Sequence, residues 1–171
     1  EFLTEANAVE DFKNQDRIIV GGYGPTLKKV TSFFQNFFTN SKVVSCTPKE
    51  AELAKYVTNT FLSTKVAFAN EISALCKSIG VDYKSLVEIF ILDKRLGNSH
   101  WSVPGPDGKN GFGGSCFPKD INALISLYNK LEVDSPLLKA VWNRNIKIDR
   151  KEQDWNNLIG RAVSYDVSKD N

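Results

Sequence analysis

Residues 47–80 carry one unbroken helical period. Leu53, Val57, Phe61, Phe68, Ile72, Leu75 and Ile79 recur at steps that keep them on one side, and Leu62, Val66 and Ala69 widen the stripe. Thr47-Pro48-Lys49-Glu50 reads as a capping box, with Thr47 as N-cap, Pro48 in the first helical position and Glu50 reaching back. No proline or glycine intervenes before Gly80, which suits a C-terminal cap. About 33 residues predict a rod of ~50 Å. So broad an apolar face on so long a helix exceeds what a chain of 171 residues can cover. The helix is therefore expected to be a spine for another domain or a partner subunit.

Shorter periods flank it. Residues 6–13 suit a short helix, and Arg17-Ile18-Ile19-Val20 before Gly21-Gly22 predicts a buried strand and a turn. Residues 25–39 place Leu27, Val30, Phe33, Phe34, Phe37 and Phe38 at helical spacing, and Val43-Val44-Ser45-Cys46 is a second strand. Strand, helix, strand is the tail of an α/β unit. A dinucleotide fold needs Gly-x-Gly-x-x-Gly after its first strand. Gly21-Gly22-Tyr23-Gly24 lacks that spacing, so the cofactor-binding half is expected outside this chain. Beyond the long helix, Asp82 caps a helix predicted through Leu92. Residues 93–115 form a loop rich in Gly, Pro and Asn, of a length that is usually functional or disordered. Helices follow over 117–131 and from Ser135-Pro136 at least to Asp149. The expected fold class is mostly α. A helical domain over 47–163, built on the long helix, follows a β-α-β remnant over 1–46, and 164–171 is a polar tail.

Composition narrows the function. A chain 42% hydrophobic and 25% charged, with net charge +2, is globular and gives no argument for nucleic acid or a membrane surface. No apolar run is long enough to span a bilayer. Cys46, Cys76 and Cys116 are widely spaced and His100 is the one histidine, so neither a disulfide framework nor a metal site is expected, and His100 is assigned no role. A reducing cytoplasm is the expected compartment. The sequence has no methionine and opens inside what reads as a motif, so it is expected to be a piece of a longer protein.

The densest chemistry lies in Gly111-Phe112-Gly113-Gly114-Ser115-Cys116-Phe117-Pro118-Lys119-Asp120. Three glycines make a loop that accepts positive φ and close approach of a ligand. Pro118 suits the first turn of a helix, which puts Cys116 at a helix N-terminus, where a thiolate is favoured. Asp120 returns to the same side four residues on. The arrangement reads as a thiol nucleophile beside a carboxylate. From the residues alone, a structural cysteine after a Gly-rich turn is the commoner reading. Lys55 and Asn59, one turn apart, could supply two donors to an oxyanion, although such a pair is more often a solvated face. Cys46 and Cys76 read as structural.

The string from Gly111 to Asp120 resembles the nucleophile motif of the UDP-glucose 6-dehydrogenase family of nucleotide-sugar dehydrogenases. Ala51-Glu52-Leu53-Ala54-Lys55-Tyr56-Val57-Thr58-Asn59-Thr60-Phe61-Leu62 is similar to the family's central-helix motif. Glu1-Phe2-Leu3-Thr4-Glu5 is similar to its segment of substrate-facing glutamates, and Asp93-Lys94-Arg95-Leu96-Gly97 to the turn whose arginine reaches a neighbouring subunit's sugar nucleotide. The resemblance implies oxidation of the C6 hydroxyl of a UDP-hexose with two NAD, through a thiohemiacetal and a thioester on Cys116. It implies Lys55 and Asn59 as oxyanion donors, Asp120 as the group acting on water, and Glu1 and Glu5 as support for hydrolysis. Phe2, Leu3, Arg95, Gly111, Phe112 and Gly113 would meet the substrate, and Cys116 and Lys119 would border the nicotinamide. It also implies a homodimer through the long helix and, for this chain alone, no activity. A GDP-mannose or UDP-N-acetylhexosamine dehydrogenase, or a non-catalytic dimerisation module, are the alternatives.

Overall fold

The computed structural model describes residues 7–158; the expected site residues Glu1, Phe2, Leu3 and Glu5 lie outside the described residues. The chain forms two compact units, residues 1–58 and 59–171. Among the described residues the fold is mostly α, with six α-helices and a single two-stranded parallel sheet.

In the first unit, α1 (Ala8–Lys13) precedes β1 (Arg17–Gly21), α2 (Gly24–Phe37) and β2 (Lys42–Cys46). The strands run parallel, in register from Arg17 opposite Lys42 to Gly21 opposite Cys46; a parallel pair needs a crossover, and α2 supplies it. Ile18 is buried, and Thr31 of α2 meets Ser45 of β2 through their hydroxyls at 2.8 Å. Phe12 packs edge-on against Phe38.

Helix α3 (Pro48–Ile79) starts at the expected capping box. The Thr47 amide donates to Glu50 Oε2 at 2.7 Å, and the Glu50 amide donates to Thr47 Oγ1 at 3.3 Å. It ends where Gly80 takes φ +72° and the Val81 amide donates to the Cys76 carbonyl at 2.9 Å.

The second unit holds the rest of α3, then α4 (Tyr83–Phe90), a 3-10 turn (Lys94–Leu96), α5 (Cys116–Lys130), α6 (Pro136–Arg144), a π-helical turn (Asn145–Asp149) and a 3-10 turn (Asp154–Asn157). Asp82 caps α4 by accepting from the Ser85 amide at 2.9 Å. Apart from Val66, which packs against the core, the α3 positions that face this unit's interior are small or polar. Ser63, Ala67 and Asn70 are buried, and Ala67 sits in a core with Phe112, Ile121 and Val141, flanked by Phe117, Ile125 and Trp142. Small residues on α3 leave room for the large ones to fill the space closely. The apolar stripe takes the other side: Phe61, Phe68, Leu75 and Ile79 are 53–66% exposed.

Of the boundaries that differ from the sequence expectation, two bear on the site. Helix α4 stops at Phe90, and the Asp93 side chain then caps the 3-10 turn by accepting from the Arg95 amide. The last helix was expected to continue to Asp149, but its α-helical hydrogen bonding ends at Arg144. The Arg150 amide donates back to the Asn145 carbonyl, five residues earlier, at 2.8 Å. The extra residue in that turn lets Asn145 and Arg150 both serve the loop described next.

Candidate active site

Helix α5 begins at Cys116, with Ser115 as its N-cap, and the thiol is exposed. Gly111 and Gly114 hold φ values of +66° and +69°, so the loop delivering the cysteine uses the conformations that favour glycine. Pro118 is fully buried in the first turn, where it needs no donor. Asp120 is 1% exposed. Its Oδ2 accepts from Asn59 Nδ2 of α3 at 2.5 Å, and its Oδ1 pairs with the Lys119 ammonium. Cys116 and Asp120 stand four residues apart on α5, on one side of the helix.

The expected donor Asn59 thus spends one N–H on Asp120, tying α3 to α5 and fixing the carboxylate; a primary amide keeps a second N–H. Lys55 is half-buried on α3, one turn before Asn59. Lys119 lies beside Asp120 rather than apart from it. Arg95 sits on the 3-10 turn with its guanidinium 89% exposed and paired to Asp93 at 2.5 Å. That turn is fastened from within. The buried Lys65 ammonium donates to the Leu96 carbonyl at 2.8 Å and lies 4.5 Å from the centre of the Trp101 ring. Trp101 Nε1 donates to the Gly97 carbonyl, and Tyr83 Oη to that of Trp101. Burial pushes the Lys65 pKa down. Burial, then the neighbouring Cys76, push that of Tyr83 up to about 12.

A cavity of about 450 Å³ opens beside the loop, lined by His100, Ser99, Ser102, Phe117 and the backbone of residues 111–114. This is within the range of small-molecule sites. Gly111 and Gly113 belong to that wall, but the Phe112 ring turns inward, 3% exposed, against Phe117 and Trp142. His100, assigned no role from sequence, is exposed on this wall with its ring 5.8 Å from that of Phe117.

The rear of the loop rests on residues that sequence reasoning missed. Asn145, 1% exposed, donates from Nδ2 to the Phe112 carbonyl and accepts at Oδ1 from the Phe112 amide, both at 2.9 Å. Asn70 Oδ1 accepts from the Gly111 amide at 3.2 Å. Arg150, 3% exposed, donates to Asp107 at 2.5 Å and to Asp154 at 2.8 and 2.9 Å. Burial opposes its charge, but Asp154 and Asp107 outweigh that and hold its pKa above the ordinary value. The hydrogen bond from Arg150 in turn holds Asp154 below the usual carboxylate range. A Cβ at Gly111 would stand 2.3 Å from Asn145 Oδ1, and one at Gly113 would stand 2.5 Å from Arg150 Cζ. The cue in the sequence was therefore the glycines themselves. Both are needed for approach by protein: Asn145 packs against Gly111, and Arg150, which also lines the cavity, packs against Gly113.

Residues 49–147 match the family model described as UDP-glucose/GDP-mannose dehydrogenase family, central domain. The chain is 44% identical over 147 residues to a UDP-glucose 6-dehydrogenase of Rickettsia bellii, covering 85% of this chain and 33% of the relative. It matches the structure of a UDP-glucose dehydrogenase from the hyperthermophilic archaeon Pyrobaculum islandicum with TM-score 0.73 and 39% identity, over 85% of this chain and 32% of that one. A GDP-mannose dehydrogenase from Pseudomonas aeruginosa matches with TM-score 0.51 and 29% identity, over 90% of this chain and 33% of that one. The chain spans about a third of the length of the curated relatives it matches.

Proposed function

The chain belongs to the UDP-glucose/GDP-mannose dehydrogenase family, and from that premise we propose that it is the thiol-bearing part of an enzyme that oxidises the C6 hydroxyl of UDP-glucose to a carboxylate. The observation that carries the reading is an exposed thiol on the first residue of α5, one turn from a buried carboxylate held by Asn59 and Lys119. UDP-glucose is preferred to GDP-mannose because identity is 39–44% to the UDP-glucose enzymes and 29% to the GDP-mannose enzyme.

NAD, when bound, supplies the acceptor for the two hydrides that the carbon gives up. The described residues do not form its cradle. The turn after β1 lacks the required glycine spacing, and the place of a Cβ on Gly21 lies 2.8 Å from Ala51 Cβ, filled by protein. Among the described residues, the cofactor would meet this chain along Cys116–Lys119.

The chemistry assigned to this chain's residues is as follows. At the aldehyde level, Cys116 Sγ adds to the carbonyl carbon, a C–S bond forms, and the carbonyl electron pair moves to oxygen, which becomes the thiohemiacetal hydroxyl. Asn59, through its remaining N–H, and Lys55 hold that oxygen while it is charged. At the thioester level, water adds to the carbonyl carbon and gives a proton to Asp120, and the C–S bond breaks to return the thiolate. Glu1 and Glu5 support that hydrolysis, and Phe2, Leu3, Gly111 and Gly113 border the sugar. A second copy of the chain covers Phe61, Phe68, Leu75 and Ile79 on α3, and Arg95 serves the neighbouring subunit's sugar nucleotide.

The test is substrate turnover and thiol chemistry in the whole enzyme. Cys116→Ser should abolish carboxylate formation, and iodoacetamide should label Cys116, with UDP-glucose protecting it. Undiminished turnover by Cys116→Ser would sink the reading. An unreactive thiol in a folded, dimeric protein would favour a dimerisation module. The 171-residue chain alone, given NAD and UDP-glucose, should produce no NADH.

A further inference from the structure

We propose that the π-helical turn after α6 is the positioning element of the Cys116 loop, acting through the Asn145 amide and the Arg150 guanidinium; the part of this that concerns a nucleophile rests on the function proposed above. Asn145 lies 33 residues from Phe112 in sequence, yet its one amide satisfies both backbone polar groups of that residue. It is also 1% exposed, so neither group has water as a substitute. Arg150 holds the same loop at its two ends. It binds Asp107 on the approach to the glycines, and its guanidinium occupies the place where a Gly113 side chain would be. The planar fork also binds Asp154 through two nitrogens, which fixes its own orientation.

These contacts demand a particular backbone. A regular α-helix through 145–150 would bond the residue 150 amide to the residue 146 carbonyl and rotate the following chain. Here the amide bonds to Asn145 instead, and the widened turn lets both side chains reach one loop. Such turns recur at functional sites. The loop they hold forms a wall of the cavity and leads into Cys116 two residues after Gly114. Asn145 acts through the backbone of the loop, whereas Arg150 and Asp107 also line the cavity, so Asn145→Asp tests the positioning role apart from direct contact with a ligand.

The experiment uses the whole enzyme carrying Asn145→Asp, which keeps the shape but sets an oxygen against the Phe112 carbonyl, and separately Arg150→Lys, which keeps the charge but loses the fork. Three quantities are read: hydrogen exchange at the Phe112 amide, the rate of Cys116 alkylation at fixed pH, and kcat and KM for UDP-glucose. In Asn145→Asp the Phe112 carbonyl loses its donor and faces a carboxylate oxygen, while the Phe112 amide keeps an acceptor. The loosened loop should let that amide exchange about tenfold faster, as for loss of one buried hydrogen bond from the loop. The alkylation rate should fall toward that of a free thiol, and kcat should fall by more than KM rises. Arg150→Lys should move all three the same way by less. Either variant folding with exchange, alkylation and kcat unchanged overturns the proposal, as does a fall in melting temperature with those three unmoved. If Asn145→Asp fails to fold, Arg150→Lys decides by the same criteria. Failure of the functional reading looks different: wild-type Cys116 would alkylate like a free thiol while Phe112 exchange still responded, leaving a structural brace and refuting the role toward a nucleophile.

Discussion

The loop that presents Cys116 and the turn that presents Arg95 belong to the same unit, and polar side chains from distant parts of the sequence fasten both. The Cys116 loop is held by neutral amides at its centre and by a guanidinium balanced against two carboxylates at its ends. The Arg95 turn is held by a buried ammonium whose recorded partners, among the described residues, are carbonyl oxygens and an indole face. The first arrangement fixes the backbone from two directions and leaves no space at Gly111 and Gly113. The second fixes the turn's carbonyls and leaves the Arg95 side chain outside, paired among the described residues with Asp93. An exposed pair of that kind contributes little. The difference suits the proposed roles: a nucleophile must be placed closely, whereas an arginine reaching another molecule needs a firm base and a free arm.

The largest effect should come from filling the space behind the loop. Gly111→Ala places a Cβ 2.3 Å from Asn145 Oδ1 at a φ of +66°; strain and overpacking together should cost roughly 3 kcal/mol. Thermal or urea unfolding measures it. The matching change at Gly97 has more room, with Lys65 Nζ 3.8 Å away, and should cost less, roughly 1–2 kcal/mol for the backbone alone. Equal losses at the two sites would erase the contrast.

Acid should separate the two fastenings by a smaller margin. Asp154 and Asp107 both have lowered pKa values, Asp154 chiefly through the Arg150 hydrogen bond and Asp107 through the same partner acting against its own burial. A carboxylate with a lowered folded pKa stabilises the fold above its unfolded value, about 3.9 for Asp, and loses that contribution as pH falls below it. About 1 kcal/mol should disappear below pH ~4 after allowance for screening of the half-exposed Asp107. Stability measured against pH should lose that step in Arg150→Met. If the step persists there, the clamp is not its source. The Arg95 turn also carries a carboxylate held below its usual range, that of the Asp93 cap bonded to Arg95. That pair is exposed and screened, so protection of the Gly97 amide should follow acid less steeply.

The smallest change is expected from Lys65→Met, which leaves the Leu96 carbonyl without its donor but keeps the apolar stem. About 1 kcal/mol should be lost, with faster exchange around residues 95–97 and no change at the Phe112 amide. A response at Phe112 would mean that the two fastenings are coupled.

The helix periods, the capping box at Thr47, the cap at Asp82 and the stop at Gly80 were legible because each is a local matter of spacing, caps and backbone freedom within a few residues. The same holds for Cys116 at the start of α5, and for a stripe on α3 too apolar to be covered by so short a chain. Local rules were silent on which side of α3 the rest of the unit would use. Packing settled that: Ser63, Ala67 and Asn70 admit Phe112, Ile121 and Val141 closely, and the large residues of the stripe were left outside. They were equally silent on Asn59 reaching Asp120 and on Asn145 reaching Phe112, since nothing in the order of residues joins positions 61 or 33 apart. The break from α-helix at residue 145 belongs to the same class. A regular helix satisfies its own backbone, and only the unpaired groups of a distant loop made the wider turn the better arrangement.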